Sequence, residues 1–72
     1  MTVTYDYEVT ARLANGLSRG RFAIRSRETA EAEALRLHLD DPDNVETVEI
    51  AHVRRVDGLF NRAITVAIYP ED

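Results

Sequence analysis

The chain has 72 residues, of which 44% are apolar and 31% are charged, and its 13 acidic and 9 basic side chains give a formal net charge of −4 at pH 7. These values are typical of one small globular domain over residues 1–72, and they exclude disordered, collagen-like and membrane-spanning classes. The absence of cysteine excludes disulfide bonds and thiolate chemistry, and the absence of a signal-peptide pattern leads us to expect a cytoplasmic protein.

Apolar and polar side chains alternate from residue 3 to residue 13, with the period of two that is typical of a half-buried strand. Asn15-Gly16 follows and favours a two-residue turn, because both central residues of a type I′ turn need a positive φ. The sequence therefore predicts a hairpin in a fixed register. The predicted cross-strand pairs include Tyr7 with Ile24, Val9 with Phe22, and Arg12 with Arg19.

A helix is predicted to begin at about Arg27, because the hydroxyl of Ser26 can cap the first turn. It is predicted to end at Asp40-Asp41-Pro42, since the residue before a proline avoids the α region. At about 100° per residue the helix has two apolar stripes on opposite sides. One stripe consists of Ala30, Ala34 and Leu37, and the other of Ala32, Leu35 and Leu39.

A second hairpin is predicted from Val45 onwards, with its turn at Asp57-Gly58. We expect a three-residue loop with Gly58 in the left-handed region, because that register places Ile50 opposite Ile64. The segment from residue 63 to residue 69 carries no charge on either face. Such a strand fits best at the centre of a sheet.

These elements predict an α+β fold, a ββαββ two-layer sandwich with one helix on a four-stranded sheet. We expect the strand order 2-1-4-3, which is similar in element order to the β-grasp architecture and carries no functional residues across. The alternative is an antiparallel sheet of order 2-1-3-4, whose uncharged last strand would be an aggregation hazard unless another chain covered it. The predicted core consists of Val3, Tyr7, Val9, Phe22, Ile24, Ala34, Leu37, Val48, Ile50, Ile64, Val66 and Ile68.

No residue pattern in the chain supports catalysis, a metal or a cofactor. Ser18 and Ser26 have no histidine at an activating spacing, and His38 and His52 lack the spacing of metal ligands. The acidic segment 40–44 fails the calcium-loop pattern at the positions that require glycine and glutamate. We therefore expect a protein that is not an enzyme and that needs no cofactor or metal.

The first candidate surface is an arginine-rich sheet face on the opening hairpin, because guanidinium groups bind phosphates through charge and paired hydrogen bonds. Tyr5, Tyr7 and Phe22 are predicted to point to the opposite face, where they could not stack on bases beside these arginines. The predicted arginine face consists of Arg12, Arg19, Arg21, Arg25 and Arg27.

Two further candidate surfaces are apolar. The closing hairpin is predicted to present an outer face with little charge, which is typical of a partner site, although a bulge near Ala51 or His52 would turn part of it into core. The outer helix stripe can anchor a helix contact or be covered by the loop around Val45. The candidate partner-binding residues are Val53, Leu59, Ala63, Ala67 and Tyr69 on the hairpin, and Leu35 and Leu39 on the helix.

We therefore expect a non-catalytic protein-interaction module that forms a homodimer through the apolar outer sheet or the last strand, because self-association commonly supplements so small a core. The alternative is a nucleic-acid-binding protein that uses the arginine face. A chain this compact is also consistent with a phage-borne protein that binds a host protein.

Overall fold

The computed structural model describes residues 1–69 as a four-stranded antiparallel sheet with one helix packed on one face. The strand order is β2-β1-β3-β4. The α+β class and the alternative antiparallel order are therefore confirmed, and the β-grasp-like order 2-1-4-3 is wrong. The elements are β1 (Val3–Leu13), β2 (Ser18–Ile24), α1 (Arg27–Asp40), β3 (Val45–Val56) and β4 (Leu59–Tyr69).

The two central positions of the sheet belong to β1 and β3, and the uncharged β4 lies at an edge. β3 pairs with β1 from Val3–Val56 to Leu13–Val45, so its two neighbours are β1 and β4. Its charges are tolerated in the centre because Arg55 forms ion pairs with Asp6 of β1, and because the helix does not cover the whole sheet. The lack of charge on β4 therefore marks an exposed edge, not a buried centre.

The turn of the first hairpin is one residue longer than predicted. The amide of Leu13 donates to the carbonyl of Leu17 over 2.8 Å, which leaves three residues in the loop, and Gly16 has a φ of 87°. The side chain of Asn15 supports this loop by accepting from the amide of Leu17. The predicted pairings of Val9 with Phe22 and of Arg12 with Arg19 are therefore wrong, because Arg21 lies opposite Val9 and Ser18 lies opposite Arg12.

A bulge in β2 then restores the register, because Phe22 and Ala23 together lie opposite one residue of β1. Beyond the bulge, Ile24 pairs with Tyr7 as predicted. Ala23 has a φ of 58°, in the left-handed region that L-residues other than glycine, asparagine and aspartate rarely adopt.

Replacing Ala23 by glycine is therefore expected to stabilise the protein by about 0.5–1 kcal/mol, since glycine adopts a positive φ without steric cost. Urea denaturation should show a higher midpoint for Ala23→Gly and a lower one for Ala23→Val, whose branched side chain fits this conformation worse. Ala23 is exposed, so neither substitution removes core packing. A lower midpoint for the glycine variant would contradict the strained bulge.

The second hairpin has a two-residue turn, so the predicted three-residue loop is also wrong. Asp57 and Gly58 have φ values of 51° and 81°, and Val56 pairs directly with Leu59. Asp57 is held by the residue that precedes β1, because its carboxylate accepts from the amide of Thr2 over 2.8 Å. β4 has two bulges, at Asn61 and Val66, and the first of them shifts the strand so that His52, not Ile50, lies opposite Ile64.

The helix begins and ends where the sequence predicts. The Ser26 hydroxyl accepts from the amide of Thr29 over 3.1 Å, and the helix ends at Asp40. Ala30 and Ala34 are fully buried against the sheet and Leu37 is half-buried, which confirms the predicted inner stripe. Because two alanines face the sheet, the helix can approach it closely.

The core is smaller than predicted and is centred on β1 and β3. Of the predicted core, Val9, Ala34, Val48 and Ile50 are buried, and Tyr7, Ile24, Leu37 and Val66 pack partly buried against them. Val3 is half-buried. The prediction is wrong for Phe22, Ile64 and Ile68, whose exposed fractions are 65%, 55% and 49%. The bulges and the edge position of β4 remove these three side chains from the core. The core cluster consists of Val9, Ala11, Leu13, Ala30, Ala34, Val45, Val48 and Ile50.

The sheet extends well beyond the helix. A 14-residue helix is about 21 Å long, whereas the molecule is 44 Å long. β2 ends at Ile24, opposite Tyr7. Beyond this level β1, β3 and β4 continue as a three-stranded sheet that α1 does not cover, and we call this part the overhang (residues 3–7, 52–56 and 59–64). Within residues 1–69 there is no helix with the length and apolar character that a membrane span requires.

Candidate interaction surfaces

The structure does not bring the five predicted arginines to one face. The longer first turn reverses the facing of the first half of β2, so that Arg19 and Arg21 lie on the helix side, opposite Ala11 and Val9. Arg12 remains on the open face, which is the face away from the helix. The predicted arginine face is therefore wrong. Arg25 lies just beyond the end of β2, beside Asp6, and Arg27 is the first residue of α1.

Two of these arginines are paired with carboxylates of the helix. Arg21 contacts Glu33 over 3.2 Å, and Arg27 contacts Glu31 over 3.1 Å. Glu33 also accepts hydrogen bonds from Arg36, and these bonds hold the pKa of Glu33 below its ordinary value. The charges are therefore partly neutralised between β2 and α1, which leaves a weaker phosphate site than the sequence suggests.

On the open face, Val53 is covered by an arginine side chain. Arg55 contacts Asp6 over 2.7 Å and Glu8 over 3.3 Å, and the hydrogen bond to Asp6 raises the pKa of Arg55 above its ordinary value. Asp6 pairs with Val53, and Glu8 pairs with Ala51, so the Arg55 side chain crosses Val53 to reach them. Val53 is fully buried although it lies outside the core cluster. It is therefore no exposed contact residue in the monomer.

The predicted outer face of the closing hairpin is split between the two sides of the sheet. Ala67 and Tyr69 pair with Ile50 and Val48 and pack against the core on the helix side, together with Val45. The cause is the bulge at Val66, which lies opposite Ile50 and Ala51. A bulge near Ala51 is the irregularity expected to turn part of this face into core. Leu59 is exposed at the hairpin tip, and Ala63 is exposed on the open face.

The exposed apolar surface is concentrated along β4. This strand has one charged residue in 11, Arg62, and it lies at the edge of the sheet. The opposite edge, β2, has two arginines in seven residues and a strained bulge, and such features discourage pairing with other strands. The exposed large apolar residues of β4 are Leu59, Phe60, Ile64 and Ile68.

An apolar groove of about 280 Å³ lies beside this edge, between α1 and the end of β4. Leu35 and Tyr69 line it, together with Ala34, Glu31 and His38. The predicted outer stripe is therefore not covered by the loop around Val45, and Leu35 is 58% exposed. Leu39 is also exposed.

A cluster of aromatic rings lies on the helix side of the overhang. His52 stacks between Tyr5 and Tyr7, with ring centroids 5.1 Å and 4.9 Å apart. On the same side, Arg54 lies opposite both Tyr5 and Arg62. We call these five residues the aromatic–arginine platform. The alternation of β1 predicts that Tyr5 and Tyr7 share a face, but only the β1–β3 pairing brings His52 and the arginines to them.

Comparison with protein-family models, curated proteins and solved structures found no match for this chain. The part of the chain that the structure describes contains no group of three or more histidine, aspartate or glutamate side chains that could hold a metal ion. The function of the chain is therefore inferred from the geometry of the β4 edge and of the aromatic–arginine platform.

Proposed function

We propose that this chain is a non-catalytic protein-interaction module of the cytoplasm that forms a homodimer through the edge of β4. The observation that supports this most directly is the run of exposed apolar side chains on an almost uncharged edge strand. An edge of this kind pairs readily with another strand, and a two-fold contact is the commonest arrangement for identical chains. The dimer would contain one continuous eight-stranded sheet.

The pattern of β4 is self-complementary about Ile64. One bulge lies on each side of it, since the unpaired residues Asn61 and Val66 precede and follow Ile64 by three and two residues. An antiparallel pair of β4 strands centred on Ile64 therefore places each bulge within one residue of the other bulge of the second copy. This register pairs Ile64 with itself, Leu59 with Tyr69, Phe60 with Ile68, and Ala63 with Thr65.

The pairing also keeps each side chain on its own face of the joined sheet. Leu59 and Tyr69 both lie on the helix side, whereas Phe60 and Ile68 both lie on the open face. The Leu59 tip of each copy would thus approach the Tyr69 end of the other, where the groove beside Leu35 is open. Apolar surface removed from water in this way stabilises association by about 25 cal/mol per Å².

The substitution Ile64→Lys is expected to convert the dimer into monomers, because two lysines would then face each other at the two-fold axis. Like charges at an interface cost several kcal/mol, so the dissociation constant should rise by at least about 100-fold. Ile64 is half-exposed in one chain, and the monomer should therefore stay folded. Sedimentation equilibrium of the unmodified protein should give twice the 8.2 kDa mass of the chain.

A mixture of two variants tests the symmetry of the contact. Ile64→Lys and Ile64→Glu should each be monomeric alone and should form a heterodimer when mixed, since opposite charges would then meet at the axis. Leu17→Lys is the matched control, because Leu17 is an exposed leucine in the turn between β1 and β2, which β3 separates from β4. A monomeric unmodified protein at high micromolar concentration, or a mixture that stays monomeric, would contradict the proposal.

A further inference from the structure

We propose that the aromatic–arginine platform binds single-stranded nucleic acid, with bases stacked on the aromatic rings and phosphates held by Arg54 and Arg62. The platform is complete within one chain, so this proposal does not require the β4 dimer, although Arg62 lies on the strand that forms it. It also differs from the five-arginine face that the sequence predicts, since neither Arg54 nor Arg62 belongs to that set.

The rings of the platform form a continuous stack with an open end. The planes of Tyr5 and His52 are inclined by 20°, and those of Tyr7 and His52 by 27°, so each tyrosine ring stacks on the imidazole. Tyr5 ends the stack and is 56% exposed. A nucleobase can extend such a stack on the free side of the outermost ring, and stacking of this kind is how many single-strand readers hold their ligand.

The two arginines add an unbalanced positive charge at the side of this stack. Arg54 and Arg62 are directly opposite each other on β3 and β4, an arrangement of like charges that destabilises a sheet. Among residues 1–69 neither forms an ion pair, and Arg54 donates only to the neutral side-chain oxygen of Asn61 over 2.6 Å. Nearby, Arg55 is balanced by two carboxylates on the other face.

Arg54 and Arg62 lack the carboxylate partners that Arg55 has, and this difference indicates that the platform would bind an anion. A phosphate group beside Arg54 and Arg62 would relieve their repulsion through charge-assisted hydrogen bonds. The strand positions on this face of the overhang carry no acidic side chain that would repel an anion. A single strand offers both an unstacked base and a phosphate, whereas a duplex keeps its bases stacked inside.

The test measures fluorescence anisotropy of labelled oligothymidine and oligouridine of about twelve nucleotides, a length within the usual site size of such proteins. At low salt the unmodified protein should bind at least one of them more tightly than a duplex of the same length. The preference between the two oligonucleotides then shows whether DNA or RNA fits better. Tyr5→Ala should weaken binding by about tenfold or more, whereas Tyr5→Phe, which keeps the ring, should not.

Arg62→Ala should weaken binding and lower the slope of log affinity against log salt by about 0.7, the value for one phosphate contact to a single strand. Arg12→Ala is the matched control, because Arg12 is an exposed arginine on the open face and forms no ion pair within residues 1–69. The proposal is overturned if the unmodified protein binds neither oligonucleotide at low salt. It is equally overturned if Arg12→Ala weakens binding as much as Arg62→Ala does.

Discussion

Replacing Ile50 by alanine is expected to lower the free energy of unfolding by about 3 kcal/mol. Ile50 is fully buried, pairs with Val9 on β1 and Ala67 on β4, and belongs to the core beneath α1. Its truncation removes buried methylene and methyl groups and leaves a cavity, and substitutions of this type cost about 2–5 kcal/mol. Urea denaturation followed by circular dichroism would measure the loss.

The matched control is Ile64→Ala, which makes the same chemical change on the edge strand. Because Ile64 is 55% exposed, the control should cost about 1 kcal/mol or less in the monomer. Its cost should rise with protein concentration, since the proposed dimer buries Ile64 at the two-fold axis. Equal losses for the two variants at low concentration would contradict the edge position of β4.

A second large effect is expected from filling the contact between the helix and the sheet. Ala34→Leu should destabilise the protein by about 1–3 kcal/mol, because Ala34 is fully buried and a larger side chain must push α1 away from β1 and β3. The same denaturation experiment would measure this change. The control Ala32→Leu places the same side chain on the exposed side of α1 and should change stability by less than about 0.5 kcal/mol.

A stabilising effect of Ala34→Leu would show that the space beneath the helix is not filled. It would also contradict the assignment of the two helix stripes, which the sequence shows as equally apolar. The structure separates them because only the inner stripe meets the sheet, and Leu35 on the outer stripe stays exposed beside the groove.

The elements of the fold could be predicted from the sequence because their signals are local. The Ser26 hydroxyl caps a helix that begins one residue later, and Pro42 follows its end. The strand registers could not be predicted. One extra residue in a turn or a bulge moves every following side chain to the other face of the sheet, and no residue pattern in the sequence marks these bulges. The lengths of the two turns moved the predicted faces of β2 and of the β4 tip, the bulges at Ala23 and Asn61 restored them, and the bulge at Val66 moved the end of β4.

The candidate surfaces were predicted only where they depend on a single strand. The uncharged character of β4 is visible in the sequence, and so is the shared face of Tyr5 and Tyr7. The platform itself depends on the pairing of β1 with β3, which joins residues far apart in the chain, and no local pattern places His52 between the two tyrosines. Sheet order was therefore the missing information for the site as well as for the fold.

The pairing of β1 with β3 also constrains how the chain reaches this structure. Its partners are 32 positions apart at Leu13–Val45 and 53 apart at Val3–Val56, whereas each hairpin closes over a turn of two or three residues. The hairpins and the helix can form early from local contacts, but the central ladder must first close a long loop. Until then the inner edges of both hairpins are unpaired. We therefore expect β1 and β3, before this ladder forms, to be as open to wrong partners as β4 is in the finished molecule.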